Sequence, residues 1–148
     1  MMKTTFYFLL LLPIAIAGCG GGGTQDPAAG PCDLRYTEPV VLVTSATDAV
    51  TNHDLGAITI SGVQIYGVAA NLVVVAQTSS SVSISDTNLR CTTPCGFGWT
   101  EGKYSFTAAA PGYQPATVTV DARYSSRSGD CPLVMSGGTK VAIVLKSI

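Results

Sequence analysis

The chain has 148 residues, with eight basic and nine acidic side chains and a formal net charge of −1. This balance leaves no basic patch for a phosphate backbone, so the composition argues against nucleic-acid binding. Residues 38–148, about 110 positions, are enough for one domain with a single core and too few for several.

The first 18 residues have the pattern of an export signal. Lys3 precedes residues 6–17, a run of twelve uncharged positions. That run fits the hydrophobic region of a secretory signal and falls short of the ~20 apolar residues of a transmembrane helix. Residues 16–19, Ile-Ala-Gly-Cys, resemble the lipobox of bacterial lipoproteins. The resemblance implies cleavage before Cys19, a diacylglyceryl thioether on its sulfur and acylation of the new N-terminus.

Residues 19–37 are predicted to form a lipidated tether. Glycine and proline dominate residues 20–31, and so few apolar side chains are typical of a flexible spacer. The predicted partner of this segment is a membrane, bound through the lipid on Cys19. In the sorting rule that the lipobox resemblance implies, Asp after the cysteine retains a lipoprotein in the inner membrane. Gly20 stands there instead, which favours the outer membrane, facing the periplasm or the cell surface.

Residues 38–148 are predicted to form an all-β domain. Apolar residues alternate over short segments separated by Gly, Pro, Ser and Asn, and no convincing period of 3.6 residues is present. The predicted strands lie at residues 40–44, 58–65, 72–76, 82–84, 104–109, 116–121 and 139–146. Gly62 stands where the alternation changes phase, which predicts a β-bulge. The continuous apolar run at 72–76 predicts a strand buried on both faces, and the whole pattern favours a β-sandwich.

The clearest predicted hairpin joins residues 104–109 to residues 116–121. Glu101-Gly102 predicts a tight turn before it, and Pro111-Gly112 fits a type II turn within it. Residues 102–120 resemble the G-x-Y-x-F-x-x-x-A-P-G-Y-x-P segment of carboxypeptidase regulatory-like domains. This resemblance implies a small Greek-key, transthyretin-like sandwich of about seven strands. It also implies a non-catalytic accessory role, which is usual in that family.

Four cysteines remain beyond the lipobox, and an even number in an exported protein predicts two disulfides. The favoured pairing joins Cys95 to Cys131, because the strands that follow them should begin at the same end of the sandwich. Cys32 would then pair with Cys91. The alternative is a local Cys91–Cys95 loop together with a Cys32–Cys131 bridge. A zinc site is disfavoured because an oxidising compartment turns such thiols into disulfides.

Candidate catalytic residues are few. His53 is the only histidine and lies in a predicted turn, so a Ser-His-Asp triad would depend on it. Glu101 and Asp121 are the best carboxylate pair for glycoside hydrolysis, but both are predicted to face solvent, where their pKa values would not separate. We therefore expect no enzyme activity, no cofactor and no metal.

Binding residues are expected on the loops. Of Trp99, Tyr104 and Tyr113, Trp99 is the one predicted to be partly exposed, and the polar loop at 123–130 carries Arg123, Tyr124 and Arg127. The first functional hypothesis is a non-catalytic lipoprotein that displays an interaction module for an envelope protein. The second is a carbohydrate-binding module for envelope or external polysaccharide, which a coplanar pair of exposed aromatic rings would favour. The third is a hydrolase, which would need two carboxylates in one cleft.

The lipobox makes the first testable prediction. Mass spectrometry of the mature protein should find an acylated Cys19 at the N-terminus, and radiolabelled palmitate should be incorporated there. Replacing Cys19 with Ser should abolish labelling and release the domain from membranes or leave it unprocessed, while Cys32→Ser should leave labelling intact. A soluble wild-type protein with an unmodified Cys19 would refute the prediction.

Overall fold

A computed structural model describes residues 32–76, 81–85 and 87–148. Its strands are β1 (Leu34–Tyr36), β2 (Val41–Asp48), β3 (Ala57–Ile65), β4 (Val68–Ala69), β5 (Val82–Ser85), β6 (Asn88–Thr92), β7 (Cys95–Phe97), β8 (Gly102–Ala109), β9 (Ala116–Ala122), β10 (Ser126–Ser128), β11 (Leu133–Ser136) and β12 (Thr139–Leu145). One helical turn, α1 (Leu72–Val75), lies between β4 and β5. The all-β prediction is confirmed, whereas the predicted signal peptide and Cys19 lie outside the described residues.

Three sheets make up the described domain. The largest has the order β5-β6-β3-β8-β9, with β4 paired to β3, and all its neighbours are antiparallel. The second has the order β12-β2-β7, with β12 parallel to β2. The third is a small sheet in the order β1-β11-β10.

The core lies between the first two sheets. Phe97 of β7 meets Phe106 of β8 edge-to-face, with ring centroids 5.2 Å apart, and Tyr104 at 6.3 Å. All three rings are almost fully buried. Because Phe97 belongs to one sheet and the other two rings to the opposite sheet, this aromatic cluster joins the layers of the sandwich.

The strongest alternation patterns are confirmed. Tyr104, Phe106 and Ala108 are buried along β8, while Ser105 and Thr107 between them are partly exposed. The predicted bulge at Gly62 is confirmed as well. Gly62 has a φ of +60°, and the register of β3 against β8 shifts between Ser61 and Gln64. This extra residue carries the buried side of β3 from the even-numbered positions before it to Val63 after it.

The prediction of a buried strand at residues 72–76 is wrong. The segment contains the helical turn α1, whose first N–H groups are capped by Asn71 through a bond from the Val73 amide at 3.0 Å. Val73 and Val74 are 69% and 58% exposed. A short apolar run does not by itself distinguish a strand from a helix. The N-cap residue Asn71 favours the helical turn in this segment. Among the described residues, no helix has the length and apolarity needed to cross a bilayer.

The predicted tether extends too far toward the C-terminus. Leu34–Tyr36 form β1, which pairs in parallel with β11. The ordered domain therefore begins before Glu38. The three residues of β1 are all exposed and show no pattern of burial, and their pairing partner lies about a hundred positions away.

The favoured disulfide pairing is also wrong. The structure joins Cys32 to Cys131 and Cys91 to Cys95, which is the alternative pairing. The parallel register of β1 and β11 places the residues before these strands side by side. Cys91 and Cys95 flank the turn from β6 to β7, with their Cα atoms 5.8 Å apart. The error follows from the omission of β1 from the predicted domain.

The two bridges make the second testable prediction. Non-reducing peptide mapping should recover Cys32 linked to Cys131 and Cys91 linked to Cys95. The first bridge closes a loop of 99 positions, so replacing both of its cysteines with Ala should lower the free energy of unfolding by about 2–5 kcal/mol. Thr119→Ala, an exposed change on β9, is the matched control and should have little effect. A Cys95–Cys131 peptide would contradict the structure.

Candidate functional site

The site is built on the corner of the chain just before β8. The Tyr104 side chain is fully buried, and its hydroxyl donates a hydrogen bond to the Thr100 carbonyl oxygen at 2.8 Å. Gly98 has a φ of +78°, and a Cβ there would lie 2.6 Å from that hydroxyl. The chain therefore bends at residues 99–100, and Gly102 already belongs to β8. The predicted tight turn at Glu101-Gly102 thus occurs two residues earlier.

Aromatic side chains gather at this corner. Trp99 is partly exposed, as predicted, and meets Tyr36 edge-to-face at 6.4 Å and 64°. Tyr36 also packs at 5.4 Å against Tyr124. The sequence predicts Tyr124 to be a contact residue on an exposed loop, but the structure leaves it only 6% exposed. Burial raises the pKa of its phenol, and its hydroxyl donates to the Glu38 carbonyl oxygen at 3.1 Å. The buried Tyr124 ring thus supports the Tyr36 ring from the interior side.

The polar loop at residues 123–130 is partly a strand. Ser126–Ser128 form β10, which pairs with β11 and places Arg127 opposite Met135. From there the Arg127 guanidinium forms an ion pair with the Glu101 carboxylate at 3.1 Å. Arg123 instead pairs with Asp121, and both of those side chains are 62% exposed. The structure therefore brings Trp99 and Arg127 to one site and leaves Arg123 outside it.

An open cleft of about 270 Å³ lies beside this ion pair. Its lining consists of Leu34, Tyr36, Thr100, Glu101, Arg127, Leu133 and Met135. Apolar side chains of β1 and β11 form most of the surface, and the ion pair forms the polar part. Sequence reasoning missed β1 and therefore Leu34 and Tyr36. No pattern in the sequence reveals these two residues, because all three positions of β1 are exposed and their pairing partner β11 lies about a hundred positions away.

Glu101 is held in its charged form. Its Oε1 accepts a hydrogen bond from the Tyr124 amide at 2.9 Å, and its Oε2 accepts one from Arg127. The Tyr124 amide is the main reason that the pKa of Glu101 lies below its ordinary value, and Arg127 adds to it. A general acid in glycoside hydrolysis needs a raised pKa, so this carboxylate is poorly suited to that role.

His53 lies at the other end of the sandwich, in an exposed turn. The turn is organised by Asp48, which accepts hydrogen bonds from the amides of Thr51 at 2.7 Å and Val50 at 2.8 Å. These bonds, led by that from Thr51, lower the pKa of Asp48. The carbonyl oxygen of His53 accepts a bond from the Asp48 amide. Asp48 and His53 thus have a structural role in closing the turn.

Two sequence comparisons bear on the family of this chain. No model of a protein family matches the chain, and no curated protein sequence matches it significantly. We therefore infer function from the geometry of the cleft.

The environment of Glu101 makes the third testable prediction. Because its folded-state pKa is depressed, its bonds stabilise the fold fully above the unfolded-state value of about 4.3 and lose this effect as pH falls through the folded-state pKa. Glu101→Gln should therefore lower the urea midpoint at neutral pH, and the deficit relative to wild type should shrink as the pH falls below the unfolded-state pKa. Asp130→Asn is a matched exposed control. A pH-independent deficit would contradict a charge effect.

Proposed function

We propose that this protein is a non-catalytic lipoprotein that displays a transthyretin-like interaction module at the cell envelope. The Ile-Ala-Gly-Cys segment supports lipid anchoring through Cys19, with the outer membrane favoured by Gly20. The hairpin β8–β9, whose Ala110 carbonyl accepts a bond from the Tyr113 amide across the Pro111-Gly112 turn, supports kinship with carboxypeptidase regulatory-like domains.

The observation that carries the proposal is the cleft between β1, β11 and the Trp99 corner. It combines an apolar surface with a salt bridge whose Arg127 side chain is 59% exposed. A guanidinium in this setting has N–H groups left to donate beyond the bond to Glu101. Such a surface suits a partner segment that offers an apolar side chain beside a carboxylate or a carbonyl oxygen.

Geometry favours a protein partner over a carbohydrate. Sugar recognition uses flat aromatic faces. The planes of the Trp99 and Tyr36 rings are instead inclined at 64°, and the two rings pack edge-to-face against each other. Catalysis is disfavoured on separate grounds. Glu101 is held as an anion by the Tyr124 amide, Asp121 is paired with Arg123, and His53 belongs to a turn at the opposite end of the domain.

Photocrosslinking in cells tests this proposal and is the fourth prediction. A photoreactive phenylalanine analogue at position 34, where a 54% exposed leucine lines the cleft, should give one discrete adduct with an envelope protein. The same group at position 119, exposed on β9, should not. Adding Tyr36→Ala, which removes the ring between Trp99 and Tyr124, should reduce the adduct without detaching the protein from membranes. Equal labelling at both positions, or hydrolase activity lost on Glu101→Gln, would refute the proposal.

A further inference from the structure

The N-terminal segment leaves the domain at one identifiable end. β2 and β12 both begin at this end, because Val41 pairs with Thr139. The Arg123 amide donates to Thr139 Oγ1 at 2.8 Å, which places the end of β9 there as well. Cys32 precedes β1, and β1 leads directly into the start of β2. We call this the tether end of the domain.

Exposed apolar side chains concentrate at the tether end. Tyr66 and Val68, in the β3–β4 hairpin, are 67% and 70% exposed, and Val73 and Val74 of α1 are similarly open. We call these four side chains the apolar rim. With Leu34 and Tyr36 they account for six of the ten exposed large hydrophobic residues of the described chain. Concentrations of this kind mark interaction surfaces, whereas single exposed apolar residues do not.

Backbone contacts place both parts of the rim beside the Trp99 corner. The Gly98 amide donates to the Val75 carbonyl oxygen at 2.8 Å, which fixes α1 beside the corner. The Tyr66 amide donates to the Lys103 carbonyl oxygen at 2.8 Å, and the Tyr66 ring lies over Gly102, where a Cβ would meet it at 2.8 Å. The rim is therefore held in place by ordered backbone.

Tyr66 adopts a backbone conformation that is energetically unfavourable for a bulky residue. Its φ is +52°, in the left-handed region that a bulky side chain rarely adopts. Most of its side chain is nevertheless exposed. Asn or Gly would satisfy this turn more easily, so burial and turn chemistry do not explain the choice of tyrosine. An aromatic ring with a polar tip suits a boundary between water and an apolar phase.

The charged side chains at the tether end do not favour a partner of either charge. In the described part, the basic side chains there are Arg35, Lys103, Arg123, Arg127 and Lys140. The acidic side chains there are Asp33, Glu38, Glu101, Asp121 and Asp130. The two sets balance, so binding through the rim depends on apolar contact.

We infer that the apolar rim docks onto the surface of the lipid bilayer that carries the Cys19 anchor. The inference rests on the proposed anchoring. From Cys19 to Cys32 the chain can span at most ~45 Å, and it enters the domain at the same end as the rim. A tether of that length holds the rim near the lipid at an effective concentration of about millimolar, so a weak apolar contact suffices.

The chain contains one tryptophan, so Trp99 reports on docking without labels. The full acylated protein is reconstituted with phosphatidylcholine vesicles, with and without bromine on the acyl chains near the headgroups. Docking predicts that the protein floats with the vesicles, that Trp99 emission shifts to shorter wavelength, and that brominated lipid quenches it. Raising the salt concentration should leave the quenching unchanged, since apolar contact is not screened.

Matched variants separate docking from anchoring. Tyr66→Asn with Val68→Thr keeps residues that tolerate these backbone conformations, and this variant should still float but lose the quenching. Val50→Thr, at a 77% exposed site at the other end of the domain, should be quenched like wild type. A wild-type protein that floats without quenching overturns the docking inference and leaves anchoring intact. Equal quenching of the wild type and the Tyr66→Asn, Val68→Thr variant also overturns the docking inference. So does crosslinking of two copies of the chain through position 66, because the rim would then contact a second copy. A protein that does not float refutes the anchor, and docking with it.

Discussion

A single buried hydroxyl determines the path of the chain around the Trp99 corner. The Tyr104 phenol lies wholly inside the sandwich, where an unpaired hydroxyl would cost about 1–3 kcal/mol. It is satisfied by the Thr100 carbonyl oxygen, and this bond requires the chain to pass directly over the ring at Gly98, where a side chain would not fit. Gly98 in turn accepts a bond from the Val40 amide at 2.7 Å and donates one to Val75. The start of β2, the helical turn and the Trp99 corner therefore share one support.

The strands that could be predicted from sequence are those with one buried face. In β8 and β12 the more buried residues stand at every second position, and the phase change at Gly62 correctly indicates a bulge. β1 could not be recognised in this way because all three of its residues are exposed and its stability comes from a partner distant in sequence. That omission had a second effect. The Cys32–Cys131 bridge follows from the pairing of β1 with β11, so the wrong tether boundary led to the wrong disulfide pairing.

The candidate site was predictable only in fragments. The sequence points to Trp99 only as an exposed aromatic residue and to Arg127 only as a cation on a loop. They converge because β11 pairs with β1 on one side and β10 on the other, so Met135 lies opposite both Tyr36 and Arg127. Sequence spacing carries no trace of this shared register. The sequence presents Glu101 as a candidate for acid–base chemistry. In the structure its bond to the Tyr124 amide makes it a structural link between the β8 corner and the segment before β10.

The Cys32–Cys131 bridge also determines how the domain would respond to mechanical force. A pull on the N-terminal segment enters the domain at Cys32, and three residues of β1 held by hydrogen bonds would peel away one bond at a time. The covalent link instead passes the load to Cys131 and through β11 to β12. β12 pairs in parallel with β2 over seven residues, so their hydrogen bonds are loaded together in shear. Under the proposed anchoring, a pull on the tether is thus resisted by the seven-residue pairing of β12 with β2.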